Sequence, residues 1–308
     1  MTVKEGVLRD ILRLIVWFPI RWLLGILPVE IGLLILHFMG DIHYKLAKGK
    51  ANLLLKNISY IKNEDLPSNL VKHIKAYYRN HYIDRLMIFL FPRFKERAIR
   101  NLIEIDGMEN IDEALKHNSG VLLVHGHFGP VHIPLVVFSR LGLQMKQIGF
   151  PTDEGLSWIG RHVAFRLRLK YEAKIPAQII MADSFLRPAF KWLKDNGIIM
   201  ITGDGTGTNT RIGRHHLFDF LGYKLYFPLG PANLAIKTGA AILPLFIVPG
   251  ENKAYKIIVE KPIDKYLGHD NRDIKITAYF VKRLQYYVHK FPAFWHFLDK
   301  FYKGGLIQ

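Results

Sequence analysis

The chain has no cysteine among its 308 residues. Disulfides, thiolate nucleophiles and Cys-based metal sites are therefore excluded, and a reducing compartment such as the cytoplasm suits it. Acidic side chains are scarce: 26 Asp and Glu stand against 43 Lys and Arg, a formal charge of +17. Such an excess calls for an anionic partner, whether lipid headgroups, nucleic acid or an acidic carrier protein. The surplus is uneven, since residues 42–100 carry 13 basic and 4 acidic side chains. Gly/Ser-rich and Pro-rich stretches are missing, as are repeats, so a flexible interdomain linker is not expected. With 50% hydrophobic residues the chain can bury a large core.

A long uninterrupted hydrophobic run is also absent. Residues 11–39 are the most apolar stretch, but Arg13, Arg21, Glu30 and two prolines break it, and its longest uncharged piece, Ile31–Gly40, has ten residues. A bilayer-spanning helix needs about twenty. Arg9, Arg13, Trp17 and Arg21 recur at every fourth position. That spacing puts basic groups and an interfacial aromatic along one helix face, with Leu and Ile opposite, as in a helix lying in a membrane interface. Residues 1–45 are thus expected to form a membrane-associating helical segment, and residues 46–308 an α/β domain.

From about residue 102, short apolar runs alternate with amphipathic stretches. LIEIDG, GVLLVH, LQMKQIGF, AKIPA, GIIMIT, AAILPLFIV and AYKIIVE have the character of strands, and residues 109–117, 131–140, 155–168, 184–195, 230–238 and 273–289 that of helices. The expected fold class is α/β, a mostly parallel or mixed sheet flanked by helices. In such a sheet, ligands lie beyond the carboxyl ends of the strands. His127 falls there, in the Gly-containing turn after VLLVH. A neutral imidazole at that place can remove a proton from an attacking hydroxyl or amine, which is worth about 10²–10⁴ in rate.

Several segments, in order, resemble the late lipid A acyltransferases of the lysophospholipid acyltransferase superfamily. IEIDGMENIDEALKHNSGVLLVHGHFG resembles the segment carrying that family's His-x4-Asp/Glu motif, and GIIMITGDGTGT its Asp-containing strand and loop. FDFLGYKLYFPLGPANLAIKTGAAILPLFIV resembles the block that follows, FPAFWHFLDKFYK the terminal Pro-x-x-Trp segment, and KGKANLLLKNI the membrane-proximal start.

The resemblance implies O-acyl transfer from an acyl thioester, carried by acyl carrier protein or coenzyme A, to a hydroxyl of an anionic membrane lipid at the cytoplasmic face of the inner membrane. The anchoring would be peripheral or through one amino-terminal segment. The thioester is a substrate, and no cofactor or metal is implied. His127 would be the base. Where the family has its acidic residue this chain has His132, which brings no negative charge to an imidazolium; Asp204 is the carboxylate available instead. If the missing carboxylate limits the enzyme, His132→Glu should raise activity. Arg168, and with it Arg166, would contact phosphate or donor. Gly129 and Gly205 would lie beside substrate, the amides around Gly205 holding the oxyanion.

Three rivals compete with this reading. A metal hydrolase would use His125, His127 and His132 with His215 or His216. A nucleic-acid-binding module would explain the charge, but the chain has no recognisable helix-turn-helix, zinc finger or RNP motif. A non-catalytic lipid-binding descendant of the same fold would explain His132.

Overall fold

The computed structural model describes residues 6–62, 69–183, 186–205, 210–263 and 270–301. The amino-terminal part is helical: α1 (Val7–Ile15), a π-helical turn (Val16–Ile20), α2 (Arg21–Ile26), α3 (Val29–Leu46), α4 (Lys48–Lys62), α5 (Asn69–Leu86) and α6 (Glu96–Leu102). The alternating part follows as β1 (Ile103–Asp106), α7 (Met108–Leu115), β2 (Val121–His125), α8 (His132–Arg140), β3 (Met145–Gly149), α9 (Arg166–Glu172), β4 (Ala177–Met181), α10 (Arg187–Lys194) and β5 (Ile198–Thr202). It continues through β6 (His215–Phe220), β7 (Tyr223–Pro228), α11 (Gly230–Thr238), β8 (Ala241–Pro249), β9 (Tyr255–Val259) and α12 (Arg272–Lys290).

Seven strands form one sheet in the order β1-β9-β8-β2-β5-β3-β4. Every neighbouring pair is parallel except β8 and β9. The expected α/β class with a mostly parallel sheet holds. β2 lies fourth of seven, and all five of its residues are buried, which is why VLLVH reads as a continuous apolar run rather than an alternating one.

Two strand expectations need correction. The strand expected at AKIPA begins instead at Ala177, because Pro176 has no N–H to give a ladder. The segment FDFLGYKLYF, not expected as strands, is the antiparallel hairpin β6–β7. Its two-residue turn holds Leu221 and Gly222 at φ 52° and 82°, the backbone that a tight hairpin demands. Leucine rarely adopts that conformation, so the usual turn signal was missing; burial of its side chain and an N–H bond to Gln285 Oε1 at 2.9 Å hold it.

The helices α3 and α5 pack along one another at close range. A Cβ at Gly40 would come within 2.6 Å of Arg79 Cα, so glycine sets the separation, and Arg79 then pairs with Asp41 at 2.6 Å. α3 buries Val29, Leu33 and Leu36 on one side, while Leu34, Phe38, Ile42 and Leu46, spaced by four, stand exposed on another. Among the described residues no helix is long and apolar enough to cross a membrane, so the alternative of a single spanning anchor finds no such helix there.

Candidate active site at the strand ends

The register between β2 and β5 builds the site. His125 is level with Thr202, and both chains run two residues further to His127 and Asp204. Parallel strands that leave the sheet side by side deliver these two side chains to one point. The imidazole Nδ1 of His127 lies 2.7 Å from Asp204 Oδ1, and the backbone N–H of His127 donates to Asp204 Oδ2, also at 2.7 Å. Two neighbouring glycines make room. A Cβ at Gly126 would meet Asp204 Oδ2 at 3.1 Å and Leu284 Cδ1 at 2.8 Å, and one at Gly203 would meet Phe280 at 2.5 Å.

The carboxylate is sealed while the ring stays accessible: side-chain exposure is 4% for Asp204 and 21% for His127. Burial pushes the Asp204 carboxyl up, but the facing imidazole and the two hydrogen bonds outweigh it and hold the group below the ordinary carboxylate range. Burial pulls His127 down, yet the charge and hydrogen bond of Asp204, helped by Asp84, raise it above the ordinary histidine value. With Nδ1–H donated to Asp204, the lone pair sits on Nε2. A buried acid, an oriented imidazole and a half-buried ring meet the geometric requirements of a general-base dyad.

The loop carrying His127 is clamped from the far end of the chain. Gly129 N–H donates to Phe294 O at 2.7 Å, His296 N–H donates to His127 O at 2.9 Å, and His296 Nε2 lies 2.7 Å from Gly129 O. Gly129, expected beside substrate, thus has both backbone groups engaged by the protein. Its φ of +67° and the Ile247 carbonyl, 2.7 Å from a would-be Cβ, explain the glycine structurally. Phe128 N–H turns back to Gly126 O at 2.8 Å. The amides of 127, 128 and 129 are therefore all occupied. Gly205, at φ +103°, opens the loop after Asp204, whose residues 206–209 lie outside the described residues.

His132 begins α8 and faces a different carboxylate. Its Nε2 is 3.9 Å from Glu172 Oε1, at the end of α9, and Glu172 accepts a hydrogen bond from Arg168 Nε at 2.6 Å. Burial pulls His132 below the ordinary value, the opposite outcome to His127. Arg166 stands exposed at the start of α9. His125 is enclosed and held neutral by burial at about 4, with Nδ1 3.0 Å from Gly126 O. His215 and His216 lie on β6, and among the described residues no three His, Asp or Glu side chains converge as a metal-ligand group.

Sequence reasoning missed Glu172, Asp84 and His296. Glu172 follows Arg168 by one helical turn, the only signal it offered. His296 sits inside the Pro-x-x-Trp segment, among aromatic residues.

The sequence matches the family described as bacterial lipid A biosynthesis acyltransferase over residues 7–304. The chain belongs to that family, and it is an acyltransferase. It is similar to the phosphatidylinositol mannoside acyltransferase of Mycolicibacterium smegmatis, 22% identical over 271 residues that cover 85% of this chain and 83% of that protein. It is also similar to the phosphatidylinositol mannoside acyltransferase of Mycobacterium tuberculosis, 23% identical over 219 residues, 69% of this chain and 64% of that one.

Proposed function

We propose that this acyltransferase moves a fatty acyl group from a thioester of acyl carrier protein or coenzyme A to a hydroxyl of a membrane glycolipid, with His127 as base and Asp204 as its partner. The His127–Asp204 pair at 2.7 Å carries the reading. Nε2 removes the acceptor's proton as the oxygen attacks the thioester carbonyl. The tetrahedral intermediate then expels the thiolate, which takes that proton from the imidazolium, leaving an ester and a free thiol. The amides of 127–129 are occupied, and the Gly205 N–H is assigned to the oxyanion. Asp204 stays charged throughout and supports the transient imidazolium, the task the family's acidic residue would have had at position 132.

The acceptor class rests on the names of the similar mycobacterial proteins and on the family's description, both of which concern glycolipids. The membrane supplies the anionic partner that the charge of +17 asks for. Leu34, Phe38 and Ile42, exposed one turn apart along α3, form an apolar stripe for shallow insertion.

Two measurements test this. His127→Ala should lower thioester consumption and lipid acylation by about 10²–10⁴; full activity in that variant would exclude the mechanism. Phe38→Asp should weaken sedimentation with anionic phospholipid vesicles by roughly tenfold or more, since a buried aromatic contributes about 1.5–3 kcal/mol. Unchanged sedimentation would remove α3 from the membrane contact.

A further inference from the structure

The turn that carries His127 has little hold on its own shape: Gly126 precedes the base, and Gly129, at φ +67°, follows two positions later. Glycine gives such a turn its room and also its freedom to move. What fixes it comes from the far end of the chain. Phe128 and Trp295 form an antiparallel bridge, with Gly129 N–H on Phe294 O at 2.7 Å and His296 N–H on His127 O at 2.9 Å. Both are main-chain bonds that most residues at 294 and 296 would supply. The third rung depends on a side chain. His296 Nε2 lies 2.7 Å from Gly129 O, and a carbonyl oxygen only accepts, so Nε2 carries the hydrogen. Asp84 Oδ1, 3.8 Å from the same nitrogen, is too distant for a bond of its own, but a carboxylate there opposes a lone pair on Nε2 and favours the same tautomer. The clamp is itself firmly mounted: Asn80 on α5 donates through Nδ2 to Ala293 O at 3.1 Å, and Asn57 on α4 to Leu298 O at 2.5 Å, both amides buried.

Asp204 holds His127 at its backbone N–H and at Nδ1, on the near side of the turn. Neither bond restrains the backbone beyond the base, and His296 restrains it there, at His127 O and at Gly129 O. We infer that His296 is a positioning residue for acyl transfer: by holding Gly129 O, its Nε2–H keeps the turn in the shape that leaves the His127 ring on Asp204 and its Nε2 aimed at the acceptor hydroxyl. The two imidazole rings are 6.2 Å apart, so His296 acts through the backbone of residues 127–129 rather than on the base itself. Misplacing a reacting group by about 1 Å costs on the order of 10² in rate, so a single slackened rung has leverage on the chemical step. The inference rests on the acyl-transfer reading above.

The test removes the donor while keeping the bulk. His296→Leu fills the space without an N–H, and His296→Gln offers an amide N–H to the same carbonyl. Thioester consumption is measured with the full chain, per mole of folded protein, using lauroyl coenzyme A or lauroyl acyl carrier protein, whichever wild type turns over, and dodecyl mannoside as acceptor. His296→Leu should lower kcat roughly tenfold with KM for both substrates within about twofold, and His296→Gln should return kcat to within about threefold of wild type. The acid limb of kcat/KM should lie at lower pH in the Leu variant than in the Gln variant, because a ring that drifts from Asp204 loses the charge and hydrogen bond that raise it. Both variants lack the second imidazole, so its own charge cancels from the comparison, and a mere loss of folded protein would leave the limb in place. Equal kcat and equal limbs in the two variants overturn the inference, as does a loss confined to KM. Where Leu at 296 prevents folding, His296→Ala takes its place against His296→Gln with the same outcomes. If His127→Ala keeps full activity, the acyl-transfer reading falls and the inference with it; if His127→Ala is inactive while His296→Leu matches wild type, the inference alone falls.

Discussion

Two histidines five positions apart each face a buried carboxylate, yet they end in opposite electrostatic states. His127 touches Asp204 at 2.7 Å and is raised; His132 stands 3.9 Å from Glu172 and is lowered by burial. The difference lies in where the carboxylate's own bonds go. Asp204 spends both oxygens on His127, one on the ring and one on the backbone N–H. Glu172 Oε1 is taken by Arg168 at 2.6 Å, and a carboxylate neutralised by guanidinium has less charge to offer an imidazole. Proximity to an acid does not make a base; an uncommitted acid does.

The largest expected effect comes from breaking the first pair. Asp204→Asn keeps the shape but can reverse the ring's tautomer, and should cost roughly 10²–10⁴ in kcat, as loss of an orienting carboxylate does. A loss under tenfold would mean that Asp204 does not orient the base.

Turning the second pair into the family's usual form should not improve the enzyme. A Glu at 132 would bring a second carboxylate to about the 4 Å range of Glu172, where two like charges repel by about 4 kcal/mol at an effective dielectric of 20. His132→Glu is therefore expected to lower the melting temperature and to give no gain in turnover, since Nδ1 of His127 is already committed to Asp204. The double variant His132→Glu/Glu172→Gln should recover most of the lost stability. A rise in turnover for the single variant would show that the acid at 132 still matters, contrary to the geometry.

His127 was legible because a buried apolar strand ends two residues before it. Asp204 was legible as a candidate for the same reason: it follows Ile198 by six positions, as His127 follows Val121. Their contact was not, since strand order in a parallel sheet is set by crossovers that no local pattern encodes. His132, Glu172 and Asp84 come from three helices, α8, α9 and α5, far apart in the chain. Their meeting had no counterpart in spacing. The β6–β7 hairpin escaped because tertiary contacts, rather than an Asn-Gly pair, impose its turn on Leu221.

The smallest effect separates the two pairs by pH. A base must be neutral to act, so the acid limb of kcat/KM follows His127, whose value is raised; its midpoint should lie above the ordinary 6.5. The pair's contribution to stability has the opposite slope. His127, raised on folding, stabilises fully below 6.5 and loses that contribution as pH climbs through its folded value. Asp204, lowered on folding, stabilises above 3.8 and loses its share as pH falls through its folded value. Between those ordinary values the dyad is most stabilising and least active, and moving upward in pH exchanges one for the other. Removing the charge in Asp204→Asn leaves burial in command of His127, so the acid limb of the residual activity should shift to lower pH. Glu172→Gln should leave that limb in place if His127, and not His132, is the base as proposed. If instead the limb moves with Glu172 and stays put with Asp204, the roles of the two histidines are reversed.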